Sequence, residues 1–77
     1  MSKVVIYSTP TCAYCKLAKQ YFEENKVEYE EKNVFEDLKA REEMVTKSQQ
    51  MGVPVIDIDG QIIIGFNKPE IESALGK

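Results

Sequence analysis

The chain has 77 residues, 43% of them hydrophobic and 30% charged, with a formal net charge of −3. That is the length of one domain (residues 1–77), near the lower limit for a single hydrophobic core. The acidic balance and the lack of a basic stripe argue against a nucleic-acid partner, and no apolar run is long enough to span a bilayer.

Taken in order, Lys3 to Tyr7 is a β-branched and aromatic run closed by Ser8-Thr9-Pro10, which predicts a strand buried on both faces. Its apolar part, Val4-Val5-Ile6, is too short for a signal-peptide core, so the expected location is the cytoplasm. A helix follows with Leu17, Ala18, Tyr21 and Phe22 on one face and Asn25 as a C-terminal residue tolerant of left-handed geometry. Glu28 to Val34 is a weaker strand pattern, suited to a sheet edge. Glu36 to Ser48 is rich in helix formers, with Ala40, Met44 and Val45 as its buried stripe, and Gln49 to Gly52 is the loop out of it.

Val55 to Ile58 and Gln61 to Ile64 predict two strands joined by Asp59-Gly60, a strong hairpin signal. Gly65-Phe66 is then a turn, and Asn67-Lys68-Pro69-Glu70 starts a short helix buried through Ile71, Ala74 and Leu75. Tyr7, Tyr21, Phe22 and Phe35 are expected in the core, and Met44 and Met51 as packing residues. The order is βαβ then ββα, with an extra helix after the second strand. It predicts an α/β fold with a four-stranded mixed sheet flanked by three helices, its first two strands parallel across a right-handed crossover. The candidate site lies at the C-terminal end of the first strand.

That site is Cys12-Ala13-Tyr14-Cys15. Residues three apart in a regular helix have Cβ atoms about 5–6 Å apart, whereas a disulfide requires about 3.8 Å. The pair can close only if Cys12 is the first or capping residue of the helix, and Pro10-Thr11 upstream suits such an entrance. Unpaired amides and the positive end of the helix dipole favour a thiolate there, and Cys15, one turn inside, receives less of that field. The asymmetry assigns attack on a disulfide to Cys12 and resolution to Cys15.

Two plainer readings compete. A structural bridge enclosing four residues would stabilise the fold by about 2 kcal/mol, a poor staple. A metal site has two thiolates and no His, half of a tetrahedral set unless a dimer shares ligands. Lys16, one turn beyond Cys12, is either a thiolate partner or a solvated residue, and Tyr14 either touches substrate or covers the site. Lys47, Gln49 and Gln50 precede Val53-Pro54 and are candidates to reach an anionic peptide, against the default of a polar loop.

With Cys12-Ala13-Tyr14-Cys15 after the first strand, Val53-Pro54 before the third and Gly65-Phe66 before the last helix, the chain resembles the glutaredoxins of the thioredoxin superfamily over essentially its whole length. Larger thioredoxins carry Trp before the first cysteine, and this chain has none. The resemblance implies a thioredoxin-like fold and a glutathione-dependent thiol-disulfide oxidoreductase acting on glutathione mixed disulfides or protein disulfides. It implies no bound cofactor or metal, glutathione as reductant or co-substrate, and a monomer.

Cys12 then matches the nucleophile, Cys15 the resolving thiol, and Tyr14 the groove-lining tyrosine. Pro54 matches a cis-proline, with Val53 pairing backbone to backbone with the substrate's cysteinyl unit. Thr11, Gln50 and Gly52 fall among the expected glutathione contacts on one side. Gly65 and Phe66 fall on the other, and the N–H groups of Phe66, Asn67 and Lys68 suit a carboxylate.

The chain departs from the family pattern in four places. Ala13 replaces Pro, Thr9 a basic residue and Gly52 a Thr, while Ile64-Gly65-Phe66-Asn67 replaces a Gly-Gly pair followed by Asp. The run Gly65-Phe66-Asn67-Lys68-Pro69 is also similar to the Gly-Phe-Arg-Pro segment of glutaredoxin-like redoxins that donate electrons to ribonucleotide reductase and are recharged by thioredoxin reductase. That is the runner-up. A third reading, a glutathione-dependent iron–sulfur cluster carrier, would bridge the Cys12 residues of two chains.

Overall fold

Alternation along the central strand builds this molecule. In the computed structural model, which describes residues 3–76, the elements are β1 (Val4–Ser8), α1 (Ala13–Glu24), β2 (Glu30–Asn33), α2 (Leu38–Ser48), β3 (Val55–Ile58), β4 (Gln61–Ile64) and α3 (Lys68–Ala74). The sheet order is β2-β1-β3-β4, parallel between β1 and β2 and antiparallel elsewhere. Successive side chains of a strand point to opposite faces. Val4 and Ile6 accordingly join Ile56, Ile58 and Ile63 beneath Ala18, Tyr21 and Phe22 of α1 and Ile71 of α3. Val5, Tyr7 and Val55 pack on the other face against Ala40 and Met44 of α2. The four-stranded mixed sheet with three helices is the one the pattern predicts.

The hairpin falls where the Asp59-Gly60 signal places it. Both residues have positive φ, 52° and 92°, as a two-residue turn matching strand twist requires. Asp59 is tied to the start of β1: its carboxylate accepts the Lys3 N–H at 2.7 Å and its own N–H donates to the Lys3 carbonyl at 3.0 Å.

Several boundaries and burials differ from expectation. β1 runs through Ser8, because Ser8 is still in register with Asn33. On that side the pairing begins at Val5 with Glu30, so β2 is shorter than Glu28 to Val34. Asn33 Oδ1 then accepts the Phe35 N–H at 2.9 Å, folding the chain into a turn that leaves Phe35 76% exposed instead of in the core. Asp37 rather than a residue before Glu36 caps α2, its Oδ1 accepting the N–H groups of Lys39 and Ala40 at 3.0 and 3.2 Å.

Leu17 is exposed because the buried stripe of α1 is Cys15, Ala18, Tyr21 and Phe22, and about 100° per residue carries Leu17 past its border. Met51 is exposed on the loop after α2 and packs into neither core. The left-handed residue after α1 is Lys26 (φ 57°). Asn25 instead caps with its side-chain amide, which donates to the Tyr21 carbonyl at 2.8 Å.

Candidate active site

The turn from β1 into α1 sets the two sulfurs. The Cys12 N–H reaches back to the Thr9 carbonyl at 3.4 Å, and Cys12, extended at φ −90° and ψ 112°, is the N-cap of α1. Its Sγ does the work a Ser or Asp oxygen does at other caps, accepting the Cys15 N–H at 3.1 Å. Both thiols are free; Cys12 is half-buried and Cys15 fully buried. Burial pushes the Cys15 thiol up to about 12, its hydrogen bond to Cys12 adds to the rise, and the Lys19 ammonium pulls weakly the other way. At neutral pH Cys15 is therefore a protonated thiol beneath the capping sulfur.

The facing wall comes from the start of β3. The Val53–Pro54 bond is cis and Pro54 is buried. Because Val55 pairs with Ile64, the Pro54 carbonyl meets the Gly65 N–H at 2.8 Å, which fixes the chain before α3 beside the cis bond. Between them runs a groove of about 570 Å³ lined by Tyr14, Val53, Pro54 and the segment Ile64 to Pro69. Its walls mix apolar side chains, Val53, Pro54, Ile64 and Phe66, with the polar Asn67 and Lys68. Phe66 stands edge-on to Tyr21 with ring centroids 6.2 Å apart, and Lys68 Nζ sits 5.6 Å over the same Tyr21 ring, the groove's cation. Asn67 caps α3 by accepting the Glu70 N–H at 3.3 Å.

Of the residues singled out in the sequence, the structure thus gathers Tyr14, Val53, Pro54, Gly65, Phe66, Asn67 and Lys68 around one groove, which meets the redox pair through Tyr14, between the two cysteines, while neither cysteine is part of its wall. Thr11 is exposed on the turn and is not part of the groove wall. Gln50 and Gly52 are not part of it either, since they close on each other. Gln50 Oε1 accepts the Gly52 N–H at 2.8 Å while Nε2 donates to the Gly52 carbonyl at 3.0 Å. A Cβ at Gly52 would stand 2.8 Å from Gln50 Oε1, so this clasp and the family's usual Thr exclude each other unless the amide swings away.

Lys47 is likewise engaged, donating to Asp57 at 2.8 Å and to the Tyr7 hydroxyl at 3.1 Å on the α2 face. Gln49 is the left-handed C-cap of α2 (φ 59°), and Lys16 is exposed. Ile64 and Pro69 line the groove without having been singled out as contacts. The hairpin register, which puts Ile64 opposite Val55 and hence beside Pro54, is the signal that locates the first of them.

Among the described residues no cluster of three or more His, Cys, Asp or Glu side chains is placed to hold a metal ion. No helix among them is long and apolar enough to cross a membrane.

Comparison with known proteins agrees with this geometry. Residues 4–63 match the family model described as Glutaredoxin. A glutaredoxin-like 8.6 kDa protein of the rubredoxin operon of Clostridium pasteurianum is 51% identical over 74 residues, 96% of this chain and 99% of that protein. Glutaredoxin 3 of Escherichia coli K12 is 38% identical over 65 residues, 84% of this chain and 78% of its own length. The fold is shared with the glutaredoxin of Archaeoglobus fulgidus, whose crystal structure superposes with a TM-score of 0.88 at 21% identity, covering 100% of this chain and 89% of that one. A capping cysteine over a buried one, a cis-proline groove and these matches together establish that the chain belongs to the glutaredoxin family, on a thioredoxin-like fold.

Proposed function

We propose that the protein is a cytoplasmic, monomeric thiol-disulfide oxidoreductase that reduces glutathione mixed disulfides and protein disulfides, with Cys12 attacking and Cys15 resolving. One observation carries the reading: a half-buried cysteine at a helix cap accepts the N–H of a fully buried one, and Tyr14 between them lines a groove that opens along a cis-proline. In the first step the Cys12 thiolate attacks one sulfur of the substrate disulfide. A Cys12–substrate S–S bond forms, the old S–S bond breaks, and the departing thiolate takes a proton from solvent. Either Cys15 or an incoming glutathione thiol then displaces the bound half.

A groove of about 570 Å³ is within the range of small-ligand sites, and its single cation, Lys68, suits the carboxylates of a tripeptide thiol. Glutathione is therefore the first choice of reductant, as co-substrate and with no resident cofactor. One feature favours a second reading. Phe66 and Ile64 make apolar the stretch where glutaredoxins usually have Gly-Gly and an Asp. That suits a redoxin recharged by thioredoxin reductase, whose protein surface would cover such a wall.

The deciding experiment compares reduction of the oxidised protein by glutathione with reduction by thioredoxin reductase and NADPH, alongside Cys12→Ser and Cys15→Ser. Cys12→Ser is expected to abolish turnover. Cys15→Ser is expected to keep part of the activity on glutathione mixed disulfides, which need only one protein thiol. Equal loss in both variants, with recharging by the reductase alone, would establish the dithiol reading instead.

A further inference from the structure

Ser8 is the one fully buried polar side chain among the described residues, and the site chemistry above makes no use of it. Its hydroxyl donates at 2.7 Å to Glu31 Oε2 on β2, and the same oxygen accepts Lys19 Nζ of α1 at 2.8 Å. Lys19 lies four residues beyond Cys15, the spacing that stacks side chains on one helix face with Cβ atoms about 5–6 Å apart. Ser8 also immediately precedes Thr9, whose carbonyl accepts the Cys12 N–H at 3.4 Å. The end of β1, Glu31 and Lys19 are thus joined by hydrogen bonds on the helix face that carries Cys15, with the Lys19 side chain only 25% exposed.

We propose that Lys19, anchored by Glu31 and Ser8, is the positioning residue that allows the enclosed Cys15 thiol to give up its proton when it resolves a mixed disulfide on Cys12. This rests on the roles given to the two cysteines above. The step is an exchange with no external oxidant. The Cys15 S–H bond breaks and its electron pair forms the Cys15–Cys12 bond. The Cys12–substrate bond breaks, and the leaving sulfur carries off that pair while the proton passes to solvent.

A buried thiol resists ionisation because nothing replaces the water that would stabilise its charge, and a fixed ammonium one turn away supplies part of that. The groups acting on Cys15 are Cys12 at the cap, Lys19 on its own helix and the Thr9 backbone of the β1 turn. β2 contributes Glu31 through its bond to Lys19. The hydrogen bonds from Lys19 and Ser8 hold Glu31 below the usual carboxylate range, so it stays ionised and anchors rather than accepting the proton. An ion pair that merely joined α1 to β2 would add little to stability and would leave the chemistry of Cys15 alone.

Stopped-flow reaction of the reduced protein with 5,5′-dithiobis(2-nitrobenzoate) separates the two steps. A bimolecular release of thionitrobenzoate reports attack by Cys12, and a unimolecular release reports resolution by Cys15. In Lys19→Met the second phase is expected to slow severalfold relative to the first at neutral pH, with the first phase unchanged. Lys19→Arg, which keeps the cation, is expected to restore the second phase. A second phase that keeps its rate in Lys19→Met, or that stays slow in Lys19→Arg, overturns the proposal. Absence of the first phase from the wild-type protein would instead overturn the functional reading itself.

Discussion

Cys12 and Cys15 are the same side chain in two environments, and the difference comes from three residues of chain. Cys12 stops at the edge of the helix and Cys15 continues beneath it, fully enclosed. That enclosure has a thermodynamic signature. Burial, with the bond to Cys12, raises the Cys15 thiol from its ordinary 9.0 to about 12, so between those values the unfolded chain sheds a proton that the folded chain keeps. Stability then falls as pH rises through this window and is complete below it. Urea midpoints of the reduced protein should decline between pH 9 and pH 12, and Cys15→Ala, though less stable overall, should show a shallower decline. Tyr29, raised to about 12 by burial and by its bond to Glu23, leaves a residual slope in both. At this scale the sequence was informative about the capping position of Cys12, because Thr-Pro-Thr precedes it. It was silent on the Gln50–Gly52 clasp, since a side-chain amide closing on a backbone two residues away leaves no periodic trace.

The helices and strands were legible where local chemistry alone decides. The Asp59-Gly60 hairpin and the Asn67 cap stand where the sequence puts them, because positive φ and side-chain capping are properties of those residues themselves. The β2–α2 junction was not legible. Glu36 is as good a helix former as its neighbours, but Asn33 Oδ1 and Asp37 Oδ1 take up the N–H groups on either side and shift the start to Leu38. The stripe of α1 was read one residue too wide at Leu17 for a related reason: periodicity gives a face, and packing gives its edges. Asp37 therefore carries the start of α2. Asp37→Ala, which strands two N–H groups, should lower stability by about 1 kcal/mol with an unchanged denaturant slope, read from urea unfolding.

The molecule as a whole is a sheet between two modest cores, so single large side chains matter. Phe22 is fully buried at the centre of the α1 and α3 side, with Tyr29 tilted against it at 5.5 Å and Tyr21 edge-on at 6.0 Å. Phe22→Ala should cost about 3–5 kcal/mol. A domain of this length has only about 4–12 kcal/mol in total, so the variant should melt at a far lower temperature or lose cooperative unfolding, as calorimetry would show. The α/β order and the mixed sheet could be read from the sequence because strands and helices alternate in a pattern with few packings, while the groove was legible only through the family resemblance, because residues 53–54 and 64–69 meet through strand pairing that no local pattern shows. The tether between Lys3 and Asp59 has a practical outcome. It closes the end of the sheet remote from Cys12, leaving the molecule with one reactive pole and one inert pole. A fluorophore or surface linker attached at exposed Gln61, on the inert pole, would orient every copy with its sulfur outward, so that capture of a disulfide partner could be watched on an immobilised layer without masking the place of contact.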